Sequence, residues 1–233
     1  MGHRKLVFIS TPFNQLTLAR EQRLEGIRKQ LELHGVTDGL EVLVADRQAE
    51  ADSQDDGLPY EYSVGRQLTA ELIRRESMAT ALIGVNDMTA LGILSELAAQ
   101  GLRVPRDFSV CGFDNIFSSS ITTPGLTTID HHLRTRCQAA VDMVITQSTP
   151  SRIPTPFVNK IEYTPQLIVR SSTGQSPTHR SSVKNLKFAA GRGALLYIRK
   201  KHQVAKTGDF LSCNQNARPH FQTIHPIIII YFQ

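Results

Sequence analysis

Three polar side chains stand where apolar stretches of the sequence end, and their chemistry suits hydrogen bonding to a bound molecule. Asn86 and Asp87 follow one apolar run, and Asp114 follows the next. A carboxylate accepts hydrogen bonds from hydroxyl or N–H groups, which gives directional selectivity in a water-poor cleft. Structural alternatives exist for the same residues, because Asn86 or Asp87 can cap a helix and Asp114 can form an Asx-turn with Asn115.

Paired carboxylates also suggest acid–base catalysis or a metal site, and the rest of the sequence argues against both. The sequence contains no G-x-G-x-x-G after a predicted strand, no G-x-x-x-x-G-K-[ST] and no G-x-S-x-G. No His or Cys stands at metal-ligand spacing. We therefore predict a protein that is not an enzyme, with no catalytic residue, metal or cofactor. The widely separated cysteines, Cys111, Cys137 and Cys213, predict buried, reduced thiols in a cytoplasmic protein.

Apolar runs alternate with amphipathic helical segments through the first half of the chain. Strands are predicted at residues 5–10, 40–45, 79–85 and 108–113. The helices between them carry apolar faces formed by Leu24, Ile27 and Leu31, by Val64, Leu68 and Leu72, and by Ala90, Leu94 and Leu97. Continuous apolar strands separated by helices predict a parallel α/β sheet covered on both faces. Ligands bind at the carboxyl ends of such strands, where the polar residues described above lie.

Composition and charge indicate a globular body with a different tail. Apolar residues make up 40% of the chain and charged residues 20%, and no run of 18 apolar residues could span a bilayer. The net charge of +5 is uneven: residues 174–233 hold nine Lys and Arg and one Asp, which leaves 17 basic and 20 acidic residues in 1–173. The basic charge therefore gives no evidence that the body binds nucleic acid.

Six segments of the chain form an ordered series. Residues 85–92 read VNDMTALG, residues 101–114 read GLRVPRDFSVCGFD, and residues 124–129 read PGLTTI. The other segments are GHRK at residues 2–5, RLEG at residues 23–26 and LIVRSS at residues 167–172. In this order and spacing they resemble motifs of the LacI/GalR family of transcription regulators, over residues 2 to about 173.

The resemblance implies a parallel-sheet α/β subdomain of the periplasmic-binding-protein-like type I fold, and an incomplete one. Family members carry a helix-turn-helix and a first subdomain before the stretch with which this sequence starts, so the resemblance implies a chain truncated at its N-terminus. We expect residues 1–129 to form the C-terminal subdomain, and residues 130–163 to be a crossover helix and strand belonging to the missing N-terminal subdomain. Residues 164–173 are expected to return as a strand, and residues 174–233 to be an unrelated, basic, disordered tail.

The resemblance also assigns ligand-binding roles. The residues concerned are Arg23, Asn86, Asp114, Tyr60 and His131. Arg23 has the spacing of the family's effector-binding arginine, although a helical arginine can equally be a surface charge. Tyr60 falls near the position of an aromatic residue that stacks on the ligand, with Tyr62 as the alternative. His131 matches a polar ligand contact of some members, and the alternative is a histidine on the hinge surface.

The function implied by the resemblance is effector sensing in a transcription regulator. The effector is expected to be a carbohydrate, with a purine as the second choice. DNA would be bound only through the missing N-terminal domain, the parent family is homodimeric, and no membrane partner is expected. The alternative with the same fold is the sugar-binding component of an ABC importer.

Overall fold

The chain folds into a six-stranded sheet with flanking helices, which a computed structural model describes for residues 1–14, 18–46, 57–147 and 161–177. The strands are β1 (Leu6–Ser10), β2 (Leu40–Val44), β3 (Ala81–Gly84), β4 (Ser109–Phe113), β5 (Thr127–Asp130) and β6 (Gln166–Ile168). The helices are α1 (Leu18–Leu33), α2 (Tyr60–Arg74), α3 (Asp87–Ala99), α4 (Phe117–Ile121) and α5 (Leu133–Gln147). The four predicted strands and three predicted helices are all present.

The strand order is β2-β1-β3-β4-β5-β6, and every neighbouring pair except the last is parallel. This confirms the predicted α/β class. The expected returning strand is β6, which pairs antiparallel to β5 with Ile129 opposite Leu167. An edge strand has only one neighbour to satisfy, so its direction is less constrained than that of a central strand.

The two faces of the sheet bury different helices. Val7 and Ile9 of β1 join the larger core cluster with Val64, Leu68 and Leu72 of α2 and with the apolar residues of α3. Phe8, between them in sequence, points to the other face and packs with Leu24 of α1 in the smaller cluster. Alternate residues of a strand face opposite sides, so β1 is buried on both faces, as its unbroken apolar run predicts.

Helices α2 and α3 touch backbone to backbone through two glycines. A Cβ atom placed on Gly65 would overlap the carbonyl oxygen of Thr89, and one placed on Gly92 would overlap the carbonyl oxygen of Tyr62. No side chain larger than hydrogen fits at either crossing. These two close contacts hold the first turns of α3 against α2, and they thereby fix the position of the turn between β3 and α3.

Residues 161–177 are built into the sheet rather than appended to it. The Ser172 hydroxyl donates to the carbonyl of Val110 at 2.6 Å and accepts from the Thr127 amide at 2.8 Å. His3 lies 2.9 Å from the Thr80 hydroxyl through Nδ1 and 3.0 Å from the Gly174 carbonyl through Nε2. Burial lowers the pKa of His3, so its neutral form holds these contacts near neutral pH.

Helix α5 lies in the predicted crossover segment. It carries Leu133, Cys137, Val141 and Val144, and all four residues are exposed. The expectation of buried thiols is therefore wrong for Cys137, because α5 leaves that face uncovered. For Cys111 in β4, burial raises the pKa of the thiol to about 12. Cys213, residues 148–160 of the predicted crossover and the predicted tail from residue 178 onward lie outside the described residues.

Candidate functional site

Polar groups meet where three adjacent strands end. Val85 follows β3, Asp114 follows β4 and His131 follows β5, and these strands are neighbours in the sheet. Their carboxyl ends therefore lie along one edge, which is the position predicted for a ligand site in a parallel sheet.

Arg23 reaches this edge from α1 and joins two of the strand ends. Its Nη1 donates to the Val85 carbonyl at 2.7 Å, and its Nη2 donates to Asp114 Oδ1 at 2.8 Å. The guanidinium also lies over the ring of Phe113, 4.9 Å from the centroid. A helical arginine would usually be a solvated surface charge, but the Arg23 side chain is only 19% exposed. The motif spacing that singled out Arg23 therefore identifies a residue that the fold directs to the strand ends.

His131 completes what we call the arginine cluster, formed by Arg23, Asp114 and His131. Its Nε2 lies 3.4 Å from Arg23 Nη2 and 3.8 Å from Asp114 Oδ1. Its ring stacks on Phe113, with centroids 6.3 Å apart and planes 10° apart. The ring thus belongs to the cluster.

The charges of the arginine cluster cancel near neutral pH. Burial lowers the pKa of His131, the positive charge of Arg23 lowers it further, and the negative charge of Asp114 opposes both. The imidazole is therefore neutral at pH 7, while Arg23 and Asp114 carry opposite charges. The site offers charged donors and acceptors without a net charge.

Asn86 has a structural role next to this cluster. It is the N-cap of α3, and its side-chain oxygen accepts a hydrogen bond from the Thr89 amide at 2.9 Å. The helix-capping alternative considered for this residue is therefore present in the structure. Within the described residues, the side-chain nitrogen of Asn86 donates no hydrogen bond. Asn86 lies beside the cluster because it directly follows Val85, whose carbonyl accepts a hydrogen bond from Arg23.

Tyr60 packs with a different core cluster from Phe113. It is the first residue of α2 and packs against the larger core cluster, on the face of the sheet that α2 and α3 cover. Phe113, over which Arg23 lies, packs with the smaller cluster on the opposite face. The structure therefore brings together Arg23, Asp114 and His131, places Asn86 beside them, and packs Tyr60 against the larger core cluster.

Asp87 is a buried cross-link between three segments. One carboxylate oxygen accepts from the Ile116 amide at 3.0 Å and the Ser119 hydroxyl at 2.6 Å, and the other accepts from the Thr128 hydroxyl at 2.5 Å. Burial raises the pKa of Asp87, and these three hydrogen bonds oppose the increase. The sequence placed Asp87 beside Asn86 as a candidate, but its oxygens are directed into the protein.

Sequence reasoning missed two contributors to the site. Phe113 lies under both the Arg23 guanidinium and the His131 ring, and the Val85 carbonyl receives a hydrogen bond from Arg23. Phe113 stands within the GFD motif, directly before Asp114, so its position was visible although its role was not. The role of the Val85 backbone carbonyl could not be predicted, because it does not depend on which side chain the residue carries.

The described residues contain no group of three or more His, Cys, Asp or Glu that could hold a metal ion. In the same part of the chain, no helix has the length and apolar character needed to cross a membrane.

Comparison with known proteins assigns the family. The family model for the periplasmic binding protein-like domain matches residues 1–173. The chain belongs to this family. Its relatives confirm the predicted resemblance to LacI/GalR-type regulators within this periplasmic-binding-protein-like family.

Curated relatives of the chain include transcriptional repressors named PurR. The chain is 30% identical over 171 residues to the HTH-type transcriptional repressor PurR of Haemophilus influenzae (strain PittEE), covering 73% of the chain and 47% of that protein. It is 40% identical over 114 residues to the repressor of the same name from Glaesserella parasuis, covering 46% of the chain and 33% of that protein. The chain thus spans about half the length, or less, of these relatives.

Solved periplasmic-binding-protein-like structures share the fold. A LacI-type transcription regulator from Bifidobacterium animalis matches with a TM-score of 0.56 and 26% identity, over 75% of the chain and 60% of that protein. A LacI family regulator from Enterococcus faecium, solved with bound ribose, matches with a TM-score of 0.57 and 24% identity, over 74% of the chain and 57% of that protein.

Proposed function

We propose that this chain is the effector-sensing module of a LacI/GalR-type transcription regulator. The observation that carries the proposal is the ion pair between Arg23 and Asp114, with His131 beside it, at the carboxyl ends of adjacent strands. The relatives are repressors, which favours a regulator over the importer component that shares the fold, and over an enzyme.

The arginine cluster suits a neutral, hydroxylated ligand. A hydroxyl group can accept a hydrogen bond from the Arg23 guanidinium and donate one to the Asp114 carboxylate. Because the two charges cancel, the cluster offers no net attraction to a charged molecule, while charge-assisted hydrogen bonds still select for geometry. We therefore propose a carbohydrate as the effector, as in the ribose-bound neighbour of the same fold, and a purine as the second choice.

Asn86 and Tyr60 complete the proposed set of ligand-binding residues, and each would contact the ligand in a different way. The side-chain oxygen of Asn86 is already used by the Thr89 amide, so its contribution to a ligand is a hydrogen bond donated by Nδ2. Tyr60 stands at the start of α2, on the α2–α3 side of the sheet, so it would contact a ligand extending past the strand ends.

The wider organisation is part of the same proposal. We propose that residues 1–129 and 164–173 form one subdomain and that residues 130–163 belong to a neighbouring one. The exposure of Leu133 at 57% and Val141 at 55% on α5 supports this division. On the family relationship we also propose DNA binding through a separate N-terminal domain, a homodimer and a cytoplasmic location. We propose that the unrelated tail, expected over residues 174–233, begins after residue 177, because Gly174 bonds to His3 and Ser109. Sedimentation equilibrium tests the homodimer.

Calorimetric titration with a panel of monosaccharides and purine bases tests the proposed function. We expect a member of the panel to bind, and Arg23→Gln or Asp114→Asn to weaken its binding about ten- to a hundredfold. This is the loss of one hydrogen bond to a charged group, about 1.5–3 kcal/mol.

Arg66→Gln is the matched control. Arg66 pairs with Glu96 at 3.3 Å on the α2–α3 face, away from the arginine cluster, so this variant should bind as the parent chain does. The proposal fails if no sugar or purine binds at millimolar concentration. It also fails if the two cluster variants bind as well as the control.

A further inference from the structure

The turn that carries Asp114 has an unusual backbone conformation. Asp114 has φ of 108° and Asn115 has φ of 49°, so two consecutive residues with side chains adopt positive φ directly after β4. Residues other than glycine rarely adopt such φ values, and the conformation persists only where surrounding contacts hold it. The contacts around this turn therefore determine where the Asp114 carboxylate points.

The backbone amides of the turn are all engaged. The Asp114 amide donates to the Ile129 carbonyl at 2.9 Å, and the Asn115 amide donates to the Thr128 hydroxyl at 3.3 Å. The next amide, of Ile116, donates to the buried Asp87 carboxylate. These bonds attach the turn to β5 and to the start of α3, but they do not restrain the Asn115 side chain.

The Asn115 side chain joins the turn to two further segments. Its oxygen accepts a hydrogen bond from Arg170 Nη2 at 2.6 Å, and its nitrogen donates to Asp130 Oδ2 at 3.1 Å. The other guanidinium nitrogen of Arg170 donates to the Leu126 carbonyl at 2.7 Å. Arg170 therefore spans from the start of β5 to the turn after β4, and both ends of its fork are occupied.

The Asp114 carboxylate depends on this support. Within the described residues, its one hydrogen bond comes from Arg23, and no neighbour of its own turn bonds to it. If the turn relaxed to negative φ, the side chain would leave the position in which Oδ1 lies 2.8 Å from Arg23 and 3.8 Å from His131.

We propose that Asn115 and Arg170 are positioning residues, which hold the 114–115 turn so that Asp114 faces Arg23 and His131. Their importance for effector binding rests on the proposed function, but the positioning itself does not. Neither residue was among the candidates from sequence, although Arg170 lies in the LIVRSS segment. Through Arg170, residues 161–177 support the arginine cluster without contacting it.

The titration of His131 reports where Asp114 lies, and it requires no effector. Burial lowers the pKa of His131, and the charges of Arg23 and Arg136 lower it further, whereas the charges of Asp114 and, to a smaller extent, Asp130 raise it. Moving the carboxylate away must therefore lower the His131 pKa further.

Asn115 also bonds to Asp130, whose charge raises the His131 pKa, so each test substitution is repeated in an Asp114→Asn background and the change found there is subtracted. A merely structural role of Asn115 and Arg170 would change stability and leave no change in the His131 pKa after this subtraction.

The experiment is an NMR pH titration of the histidine Cε1–Hε1 signals of the full chain, with His131 assigned by the signal lost in His131→Gln. Asp114→Asn gives the change expected for complete loss of the carboxylate charge. Arg170→Gln and Asn115→Gly are the test variants, and glycine at 115 tolerates positive φ while removing the amide. Arg66→Gln is the control, because it alters an arginine ion pair on the other face.

After the subtraction, we expect both test variants to lower the His131 midpoint by half or more of the change seen in Asp114→Asn, with the control unchanged. The proposal is overturned if, after the subtraction, His131 titrates in Asn115→Gly as it does in the parent chain. If Arg170→Gln fails to fold, Asn115→Gly alone decides the outcome. It is also overturned if Asp114→Asn leaves His131 unmoved. Effector titrations can fail without touching this result, so the two hypotheses are separable.

Discussion

Replacing Asn86 separates helix capping from ligand contact, because the two roles use different atoms of the same side chain. The oxygen accepts from the Thr89 amide at 2.9 Å and caps α3, while the nitrogen is the group that we propose for the effector. Serine keeps a capping oxygen without adding charge beside the buried Asp87, and alanine removes it. Asn86→Ser and Asn86→Ala therefore differ in the cap but both lack the amide donor.

The size of the capping effect follows from the surroundings of α3. Loss of an N-cap side chain costs about 0.5–2 kcal/mol, and α3 is packed into the core along Ala90, Ile93 and Leu97, so fraying of its first turn cannot be relieved by moving the helix. We expect Asn86→Ala to lower the free energy of unfolding by about 1 kcal/mol, which is roughly 2–4 °C in Tm for a protein of this size. Asn86→Ser should remain within about 0.5 kcal/mol of the parent chain.

Urea unfolding followed by circular dichroism measures the effect of each variant on helix capping, and effector titration measures its effect on ligand binding. Both variants should weaken effector binding by a similar factor, about two- to twelvefold for one hydrogen bond. If Asn86→Ala is as stable as the parent, the hydrogen bond to Thr89 does not cap α3 in the way described. If Asn86→Ser binds effector as well as the parent chain does, the amide donor has no role in binding.

Three further outcomes test other parts of the structure. Gly65→Ala should lower the free energy of unfolding by about 1–3 kcal/mol, because its methyl group would overlap the Thr89 carbonyl, and an unchanged urea midpoint would contradict the described helix packing. Because the folded state lowers the pKa of His131 from 6.5, its contribution to stability should be complete above pH 6.5 and be lost as the pH falls through the folded-state value. Urea unfolding at several pH values should show this decline, and His131→Gln should reduce it. Deleting residues 178–233, which carry nine basic residues and one acidic residue, should remove any salt-sensitive retention of DNA in a gel-shift assay.

The sheet could be predicted from the sequence because its signals are local. The apolar run of β1 is buried on both faces, and Val64, Leu68 and Leu72 recur at the spacing that places them along one side of α2. The direction of β6 had no such signal, because Gln166–Ile168 is three residues long and reaches its partner from a distant part of the chain. Helix α4 has five residues, too few for a helical period to show.

The site could be predicted only in part, because its contacts are long-range. The motif spacing selected Arg23, and the structure directs that residue to Asp114, 91 positions away. The same motifs could not separate the two roles of Asn86, whose oxygen caps α3. The bond from Arg170 to Asn115 spans 55 positions and depends on an antiparallel edge strand that no local pattern predicted.

Two carboxylates follow neighbouring strands, and their surroundings distinguish which of them is available to a ligand. Asp87 is 1% exposed and accepts three hydrogen bonds, so both of its oxygens are committed to joining α3, α4 and β5. The Asp114 side chain is 35% exposed, and the one hydrogen bond found for it within the described residues comes from Arg23. A partly exposed ion pair contributes at most about 1 kcal/mol to stability. This does not offset the conformational cost of positive φ at both Asp114 and Asn115. The conformation of this turn is therefore better explained by the direction in which it presents Asp114 than by the stability of the ion pair, and this favours Asp114 over Asp87 as the carboxylate that we propose for the effector.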